Sequence, residues 1–537
     1  MSNKLLRGTI ILTLGTYISR FLGMIYVIPF FALVGETGGA LFQYGYVPYT
    51  VFLSIATMGF PLAVSKFVSK YNSIGDYKTS RRMFKSGIIF MFLTGMIAFI
   101  ILYVMAPFFA QQFLVQEKLG DVTLEDVVFV IRMVSMALIV VPVMSLIRGF
   151  FQGHQSMGPT AVSQVVEQIV RIVFLLASSY LILKVWHGDL VTAVGYATFA
   201  AFVGAIGGLI VLLSYWFRRK HKLLAMQENT VPPSNIPLKQ MFTELFRYAG
   251  PFVFVGLAIP LYQYIDTNTF NKAMIQIGKA ENSQELLSIV NFWVNKIVMI
   301  PVSLATAFGL TLVPTITKSH TENHYSLLNT QINQTFQLLM FLVLPAAAGL
   351  SILSQPVYML FYNENEVGGN ILAAYAPIAI LFSFFTVTAA ILQGINKQKL
   401  AVISLVFGLI IKASVNIPLI MSFQAYGSIM ATALGFSCSL LYSFAMIKRH
   451  AGYTYKQFMK RSVLMGIFTI CMSIAVLAVY SVLSLFMDFR DGKMEAAMIL
   501  FISVAIGAGT YLYLASYSGL LQLLVGSRFK KWKQKAV

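Results

Sequence analysis

Long apolar stretches, separated by short polar connections, follow one another along almost the whole chain. A stretch of about 20 apolar residues is long enough to cross a bilayer as a helix. The pattern therefore predicts an all-α integral membrane protein of about fourteen transmembrane helices. We expect these helices near residues 8–34, 46–69, 86–108, 127–150, 160–184, 191–217, 248–271, 288–316, 333–354, 371–395, 400–421, 425–447, 462–485 and 496–521.

An internal repeat groups these helices. The sequence Phe151-Gln152-Gly153 after the fourth helix resembles Leu392-Gln393-Gly394 after the tenth, and at the same offset of 241 residues Arg171 corresponds to Lys412. An even number of helices in each unit gives both units the same orientation, as in transporters built from parallel repeats. The predicted organisation is two parallel six-helix lobes (1–217 and 248–450), a basic linker between them (218–247), and two extra helices with a basic tail (451–537).

Composition supports a membrane protein. Hydrophobic residues make up 58% of the chain and charged residues 11%, whereas soluble domains carry about 25% charged residues. The first apolar stretch continues without a small-residue cleavage pattern, so it is predicted to be a membrane helix rather than a cleaved signal peptide. Lipid must therefore cover most of the apolar surface.

The net charge of +20 follows the predicted topology. With the N-terminus inside, 28 of the 39 Lys and Arg residues lie on the cytoplasmic side and 13 of the 19 acidic residues lie outside. Such a bias orients membrane proteins, and it predicts that both termini are cytoplasmic. Basic connections also attract anionic lipid head groups, so nucleic acid is not needed to explain the charge.

Ionisable residues within the apolar stretches are the first candidates for a functional site. Such residues are costly in lipid and usually face a cavity. Their charges here add up to +3, which predicts a cavity that prefers an anion. The seven residues are Arg20, Arg132, Glu167, Arg171, Asp266, Lys296 and Lys412.

Structural roles compete with functional ones at several of these positions. Glu167 precedes Arg171 by four residues, the favoured order for a helical ion pair. Asp266 and Lys296 lie at similar depth on consecutive helices, so a mutual salt bridge is an alternative to a substrate role. For Arg132, the favoured interpretation is a side chain that reaches the nearby outer surface.

Arg20 and Lys412 lie near the middle of the membrane without an acidic residue within one turn of their own helices. An arginine offers paired hydrogen bonds to phosphate, so Arg20 is predicted to bind an anionic substrate. Lys412, with Asn416 one turn later, is a candidate for coupling or for holding the second lobe together.

No nucleotide-binding motif and no metal site are predicted. The chain has no G-x-x-x-x-G-K-[ST] sequence, and His320 and His324 lack the glutamate that a zinc hydrolase helix carries. Transport without a cofactor would then depend on an ion gradient or on the membrane potential, which supplies about 2.3 kcal/mol per elementary charge at 100 mV.

Three segments resemble the multidrug/oligosaccharidyl-lipid/polysaccharide exporter superfamily: Gly15-Thr16-Tyr17-Ile18-Ser19-Arg20-Phe21-Leu22-Gly23, Arg148-Gly149-Phe150-Phe151-Gln152-Gly153-His154 and Ile265-Asp266-Thr267. Within it, the chain is most similar to the MurJ-type lipid II flippases of low-GC Gram-positive bacteria, the YtgP branch, and to the related stage V sporulation protein B. The resemblance covers nearly the whole chain.

The resemblance implies two lobes around a cationic cavity that opens alternately to each side of the bacterial cytoplasmic membrane. The implied substrate is the undecaprenyl-pyrophosphate-linked muropeptide lipid II of peptidoglycan synthesis, with cell-wall synthesis enzymes as further partners. The last two helices would line a groove for the lipid tail. By matching position, Arg20 and Lys296 would bind the pyrophosphate.

The chain departs from this family at two places. Tyr26 stands where Gram-negative members carry a second arginine, and no Lys or Arg occurs between Tyr44 and Ser65, in the second helix. Arg171, Lys66 or Lys412 could supply the missing charge. Lys412 could also replace the sodium ion that some members bind in the second lobe.

Three other functions remain open. An ion-coupled multidrug exporter of the same superfamily would have a cavity dominated by acidic or aromatic residues, which the balance of +3 disfavours. A scaffold for cell-wall enzymes would have no use for charges inside the membrane. A flippase for another lipid-linked polysaccharide would use the same chemistry on a different cargo.

Overall fold

The computed structural model describes residues 3–57, 59–114, 118–119, 122–225 and 256–525, together with residues 237, 239–243, 245 and 253. This part of the chain is almost entirely helical, because a helix satisfies its own backbone hydrogen bonds in lipid. The exception is a two-residue antiparallel pair, β1 (Lys118–Leu119) with β2 (Val122–Thr123). The predicted all-α membrane fold is confirmed.

The chain divides into two compact units, Met1–Ser288 and Ile289–Val537. The two units are regions that are each compact, and their boundary does not test the predicted lobes. The lobe boundaries at 217 and 248 therefore stay a prediction from the sequence repeat. The helices described in the first unit are α1 (Asn3–Ile25), α2 (Val27–Thr57), α3 (Phe60–Ser73), α4 (Tyr77–Val104), α5 (Ala106–Leu114), α6 (Leu124–Ser135), α7 (Ala137–Gly153), α8 (Met157–Tyr180), α9 (Leu190–Ala225), α10 (Ala258–Gln276) and α11 (Ser283–Ser288).

The second unit continues the helical pattern. Its described helices are α12 (Asn295–Thr321), α13 (Tyr325–Ile352), α14 (Ser354–Phe361), α15 (Glu366–Tyr375), α16 (Ile378–Gly394), α17 (Gln398–Phe423), α18 (Ala425–Ala451), α19 (Lys456–Leu483), α20 (Lys493–Tyr517) and α21 (Leu520–Val525).

Eleven helical segments among the described residues are long and apolar enough to cross a membrane, or twelve if a bent pair near the N-terminus counts as one span. The eleven match the predicted third to sixth and eighth to fourteenth helices. Most of residues 248–257, where the predicted seventh helix begins, lie outside the described residues. The eleven segments are Tyr77–Val104, Leu124–Gly153, Met157–Val185, Leu190–Arg219, Ser283–Ser303, Tyr325–Ile352, Glu366–Gly394, Gln398–Phe423, Ala425–Ala451, Lys456–Leu483 and Lys493–Tyr517.

The first two predicted helices are broken rather than continuous. The chain bends by 42° between α1 and α2. Gly35 interrupts α2 with φ 63° and ψ −163°, and Gly59 precedes α3 with φ 63°. Glycine adopts these angles at little cost because it has no Cβ. Discontinuous helices are typical of transporters, where irregular backbone lines the substrate path.

The internal repeat has a counterpart in the backbone. The amide of Ser156 donates to Phe151 O at 2.9 Å, and 241 residues later the amide of Lys397 donates to Leu392 O at 2.8 Å. The residue before each donor has a positive φ, 56° at Gln155 and 58° at Asn396. The similar segments therefore form the same helix-ending turn in both units.

Within the described residues, two π-helical segments interrupt the regular α-helices. Leu181–Val185 extends α8, and Ile289–Val294 lies between α11 and α12. Such segments are rare and occur often at functional sites. The second one ends directly before Asn295 and Lys296.

Candidate functional site

Small residues bring α1 close to α8. A Cβ added at Gly15 would lie 2.7 Å from the Ala161 Cβ, and one added at Gly23 would lie 3.1 Å from Gln168 Nε2. Ser19 lies midway between the two glycines, so small residues recur every fourth position on this helix. This spacing allows two membrane helices to approach closely. The glycines of the first motif therefore serve helix packing.

Arg20 lies on α1 between two of these contacts and is half-buried. The Thr16 hydroxyl donates to Gln164 Oε1 at 3.2 Å, one turn before Arg20. Since α1 and α8 advance in the same direction, Arg20 lies at about the depth of residues 164–168 of α8. The structure thus places the predicted binding arginine at the same depth as Glu167.

Arg171 is surrounded by tyrosines. Its Nη2 donates to Tyr46 Oη at 2.5 Å, and its guanidinium carbon lies 5.5 Å from the centroid of the same ring. Tyr26 and Tyr49 are close enough to interact with it electrostatically. Tyr26, one of the two departures from the family noted in the sequence, is thus an aromatic neighbour of a cation.

Glu167 forms an ion pair with Arg148, whereas its spacing in the sequence favoured Arg171. Arg148 Nη2 donates to Glu167 Oε2 at 2.7 Å and to Ser163 Oγ at 2.7 Å. The Ser163 hydroxyl in turn donates to Gly208 O at 2.9 Å. The network ties α7, α8 and α9 together. Arg171 still interacts electrostatically with Glu167, so a structural role for that pair stays a prediction.

Arg148 is the functional-region residue that the sequence analysis missed. It is absent from the seven ionisable residues predicted within the apolar stretches, but α7 continues to Gly153 and the Arg148 side chain is only 13% exposed. The acid Glu167, on the next helix, is the signal in the sequence that points to a buried cation nearby. A buried carboxylate requires a cation or several hydrogen-bond donors.

Lys66 lies on the outer face of the short helix α3. It is exposed, whereas Val64 and Val68 are fully buried. A Cβ at Gly153 would lie 2.7 Å from the Val68 Cβ, so the buried face of α3 packs against α7. Lys66 is therefore directed away from the α3–α7 contact.

Asp266 lies on α10 and is buried, with 4% of its surface exposed. It belongs to the first unit and Lys296 belongs to the second. The possible salt bridge between these two residues stays a prediction.

Lys296 directly follows the π-helical segment and is half-buried. Its Nζ lies 5.4 Å from the centroid of the Phe292 ring, within range of a cation–π interaction. The neighbouring Asn295 donates from Nδ2 to Tyr375 Oη at 3.1 Å, and Tyr362 Oη donates to Trp293 O at 2.8 Å. Hydrogen bonds thus fix the backbone that carries Lys296.

Lys412 is fully buried in the second unit. Its Nζ donates to Thr432 Oγ1 at 2.6 Å, and the Thr432 hydroxyl donates to Ser428 O at 2.9 Å. Asn416, one turn further along α17, is also fully buried. A lysine in such a position needs polar partners because burial penalises its charge. The Thr432 hydroxyl of α18 supplies part of that environment.

His154 ends the connection after α7. Its Nδ1 lies 3.1 Å from Phe150 O, and burial lowers its pKa from the usual value. The imidazole is therefore neutral at pH 7 and adds no charge to this motif. Among the described residues, no group of three or more His, Cys, Asp and Glu side chains is placed to hold a metal ion.

A chain that is almost entirely helical in its described part, with repeated units, broken helices and cations inside its apolar helices, has the architecture of a transporter. A family model described as "Polysaccharide biosynthesis protein" matches residues 5–320, and one described as "MatE" matches residues 274–419. The chain is 62% identical to the lipid II flippase MurJ of Bacillus subtilis (strain 168), over 100% of this chain and 99% of the relative. The chain belongs to the MurJ family of lipid II flippases, and members of that family are transporters rather than enzymes.

More distant relatives agree with this assignment. Stage V sporulation protein B of Bacillus subtilis (strain 168) is 22% identical over 76% of each chain. A solved structure of the lipid II flippase MurJ in an inward closed conformation has a TM-score of 0.67 at 16% identity, covering 96% of this chain and 100% of the other. An inward-facing multidrug resistance transporter of the MATE family has a TM-score of 0.63 at 13% identity, covering 81% and 94%. At these identities the two structures show the shared fold.

Proposed function

We propose that this chain moves lipid II, a polyprenyl-pyrophosphate-linked cell-wall precursor, from the inner to the outer leaflet by alternating access. The observation that carries the proposal is the 62% identity, over the full length, to a protein named as a lipid II flippase. Cations on apolar helices agree with it, because a pyrophosphate must be held by positive charge where water is scarce.

Arg20 is the proposed primary contact to the pyrophosphate. It is half-buried on α1, which Gly15 and Gly23 hold against α8. A planar guanidinium can donate two parallel hydrogen bonds to one phosphate. Close helix packing limits the positions that its backbone can adopt, which favours a defined binding geometry.

Arg171 is the proposed second contact, in place of the arginines that this chain lacks. A guanidinium has five N–H donors, and within the described residues only its Nη2 donates a hydrogen bond, to Tyr46. The remaining donors are available for a phosphate. Lys66, on the exposed face of α3, is proposed for the same role at the edge of the path.

Lys296 is the proposed contact from the second unit. It lies in the helix that follows the π-helical segment, and Phe292 lies under its ammonium group, so the charge is placed beside an aromatic face rather than in lipid. Because it follows a π-helical segment, its side chain is directed differently from that of a continuous α-helix.

Coupling is proposed to depend on the membrane potential or an ion gradient, without ATP or another cofactor. Lys412 would serve as a permanent cation in place of a bound ion, held by Thr432 and near Asn416. Asp266 is a further coupling candidate. Glu167 would act through its partner Arg148, by holding three helices together.

The proposed location is the bacterial cytoplasmic membrane with both termini inside. Anionic lipids and cell-wall synthesis enzymes are the proposed partners. Cysteine-accessibility labelling at Ser2 and Ala536 from each side of the membrane would test the orientation, and labelling of either position from outside intact cells would contradict it.

The test of transport is growth of a flippase-depleted strain that carries the Arg20→Ala variant. We expect loss of complementation at normal protein level, whereas Arg490→Ala, an exposed arginine paired with Glu364, should support growth. In reconstituted vesicles, labelled lipid II should become accessible on the opposite leaflet only with the wild-type chain and faster with a membrane potential. Full growth with Arg20→Ala would contradict the role of Arg20.

A multidrug exporter is the second candidate, favoured by the match of residues 274–419 to the MatE model and by the tyrosines around Arg171. Drug accumulation in a deletion strain distinguishes the two. Export of cationic drugs together with failure to move lipid II would replace the first proposal.

A further inference from the structure

A cavity of about 620 Å³ lies in the first unit, and of the seven ionisable residues within the apolar stretches it is lined by Arg132. The end of α4 and helix α5 form one wall, and the first three turns of α6 form the other. The lining side chains that matter here are Tyr103, Gln111, Glu125, Phe129, Arg132 and Met136.

The charges in this cavity have a definite order along α6. Glu125 is in the first turn of the helix, and Arg132 follows seven residues later, about 10 Å further along the axis. Met133 and Met136 lie beyond Arg132. A ligand that enters along the helix therefore meets an acid first, then a base, then an apolar surface.

Arg132 is held in place and keeps donors free. Its guanidinium lies 4.8 Å from the centroid of the Tyr103 ring, and its Nε donates to Tyr103 O at 3.5 Å. In the described part of the chain, its two terminal nitrogens have no hydrogen-bond partner. An arginine that stacks on an aromatic ring and keeps the N–H groups of both terminal nitrogens for a ligand is suited to binding a phosphate.

Glu125 is likewise available. The adjacent Asp126 is used at the start of α6, where its side chain accepts from the Thr123 amide at 2.8 Å. Glu125 is exposed and makes no ion pair with any residue that the structure describes. Thr123 and Asp126 already provide the hydrogen bonds that cap the start of α6. The charge of Glu125 can therefore interact with a ligand.

The surroundings of the cavity are apolar. Ile100, Val104 and Phe108, on α4 and α5, are exposed large hydrophobic residues. In a membrane this surface contacts acyl chains. Because α6 begins the span Leu124–Gly153, Glu125 lies at the head-group level and Arg132 near the edge of the hydrocarbon.

We propose that this cavity binds a phospholipid whose head group carries a primary amine, as in phosphatidylethanolamine. The ammonium group would contact Glu125, the phosphate would contact Arg132, and one acyl chain would lie along Phe129, Met133 and Met136. The ligand has the same order of charges as the cavity, opposite in sign. A lipid with a phosphate but no amine would face the repulsion of Glu125, and a choline head group has no N–H to donate to the carboxylate.

The test is lipid binding to the delipidated full-length chain, followed by native mass spectrometry. Dioleoyl phosphatidylethanolamine, phosphatidylcholine and phosphatidylglycerol are compared. We expect one phosphatidylethanolamine per chain, bound about tenfold more tightly than the other two, since a hydrogen-bonded ion pair commonly contributes a factor of this size.

Two variants should change the pattern in different directions. Glu125→Gln should weaken phosphatidylethanolamine and strengthen phosphatidylglycerol, because it removes an attraction from one and a repulsion from the other. Arg132→Gln should weaken all three lipids, and Val128→Trp, which fills the cavity, should do the same. The double variant Glu364→Gln/Arg490→Gln removes an exposed ion pair elsewhere and should change nothing.

Two results would overturn the proposal. One is wild-type binding of phosphatidylglycerol as tight as that of phosphatidylethanolamine. The other is an unchanged preference in Glu125→Gln. Thermal stability measured beside each titration identifies a variant that fails to fold, and lipid II transport is not needed for any of these measurements.

Discussion

Each unit has a cation at the same position of the internal repeat, but the two cations have different surroundings. Arg171 in the first unit is half-buried and donates to a tyrosine of the distant helix α2. Lys412, 241 residues later, is fully buried and donates to a threonine of the adjacent helix α18. The first cation has donors left for a ligand, whereas the second is enclosed by its own unit.

The framework around these cations is nevertheless shared. Ser163 and Ser404 are also 241 residues apart, and each donates to a backbone carbonyl of the following long helix, Gly208 O at 2.9 Å and Ser439 O at 2.7 Å. The helix pair therefore packs in the same way in both units. Its charged residue is half-buried in the first unit and fully buried in the second. We infer that the two cations at this repeat position have different roles, Arg171 in binding and Lys412 in coupling.

The largest expected effect is that of Lys412→Met. If the enclosed cation couples transport to a driving force, the variant should abolish complementation at normal protein level. Stability should change little, because an apolar residue of similar length replaces a buried charge without a desolvation cost. Lys399→Met, at an exposed position near the start of the same helix, is the matched control.

Full growth with Lys412→Met would mean that the lysine only fills space, and the inferred difference in role between Arg171 and Lys412 would be contradicted. Loss of both growth and protein would instead assign Lys412 to the folding of the second unit.

Arg171→Gln should have an intermediate effect, a decrease of about tenfold in the rate of lipid II movement in vesicles, the size expected when one charged contact is removed. Tyr46→Phe keeps the arginine and removes only its hydroxyl acceptor. We expect a decrease of no more than about threefold for this variant, within the net value of one hydrogen bond. A larger loss with Tyr46→Phe than with Arg171→Gln would show that the tyrosine, not the cation, contacts the substrate.

The smallest effects are expected from the matched pair Ser163→Ala and Ser404→Ala. Ser163 also accepts from Arg148, so its loss leaves a charged donor with one partner fewer and should lower the unfolding free energy by about 2 kcal/mol. Ser404→Ala removes only neutral hydrogen bonds and should lower it by about 1 kcal/mol. Unfolding in detergent micelles measures both, and the reverse order would contradict the assigned network.

The sequence was sufficient for the fold because each membrane helix is specified locally, by one apolar stretch of adequate length. Tyr77–Val104 and Lys456–Leu483, for example, follow directly from such stretches. The break at Gly59 was not predicted, because it lies inside the predicted helix 46–69 and a single glycine in an apolar run is compatible with a continuous helix.

The charged residues could be found from the sequence, but their partners could not. Arg171 and Tyr46 are 125 residues apart, and Arg148 and Glu167 are on different helices. Spacing within one helix favoured Glu167 with Arg171, whereas helix packing brought Arg148 nearer to the carboxylate. Interactions between helices depend on which faces meet, and that information is distributed over the whole chain.

The π-helical segment Ile289–Val294 has a consequence for comparing this chain with its relatives. A π-helical turn contains one residue more than an α-helical turn, so each side chain after it is rotated by about 100° from the direction expected in a continuous α-helix. A relative without this segment would direct its cation into the same space from a position one residue away. When this chain is compared with a relative, the residue equivalent to Lys296 should therefore be identified by the direction of its side chain in the structure, and not by its position in a sequence alignment alone.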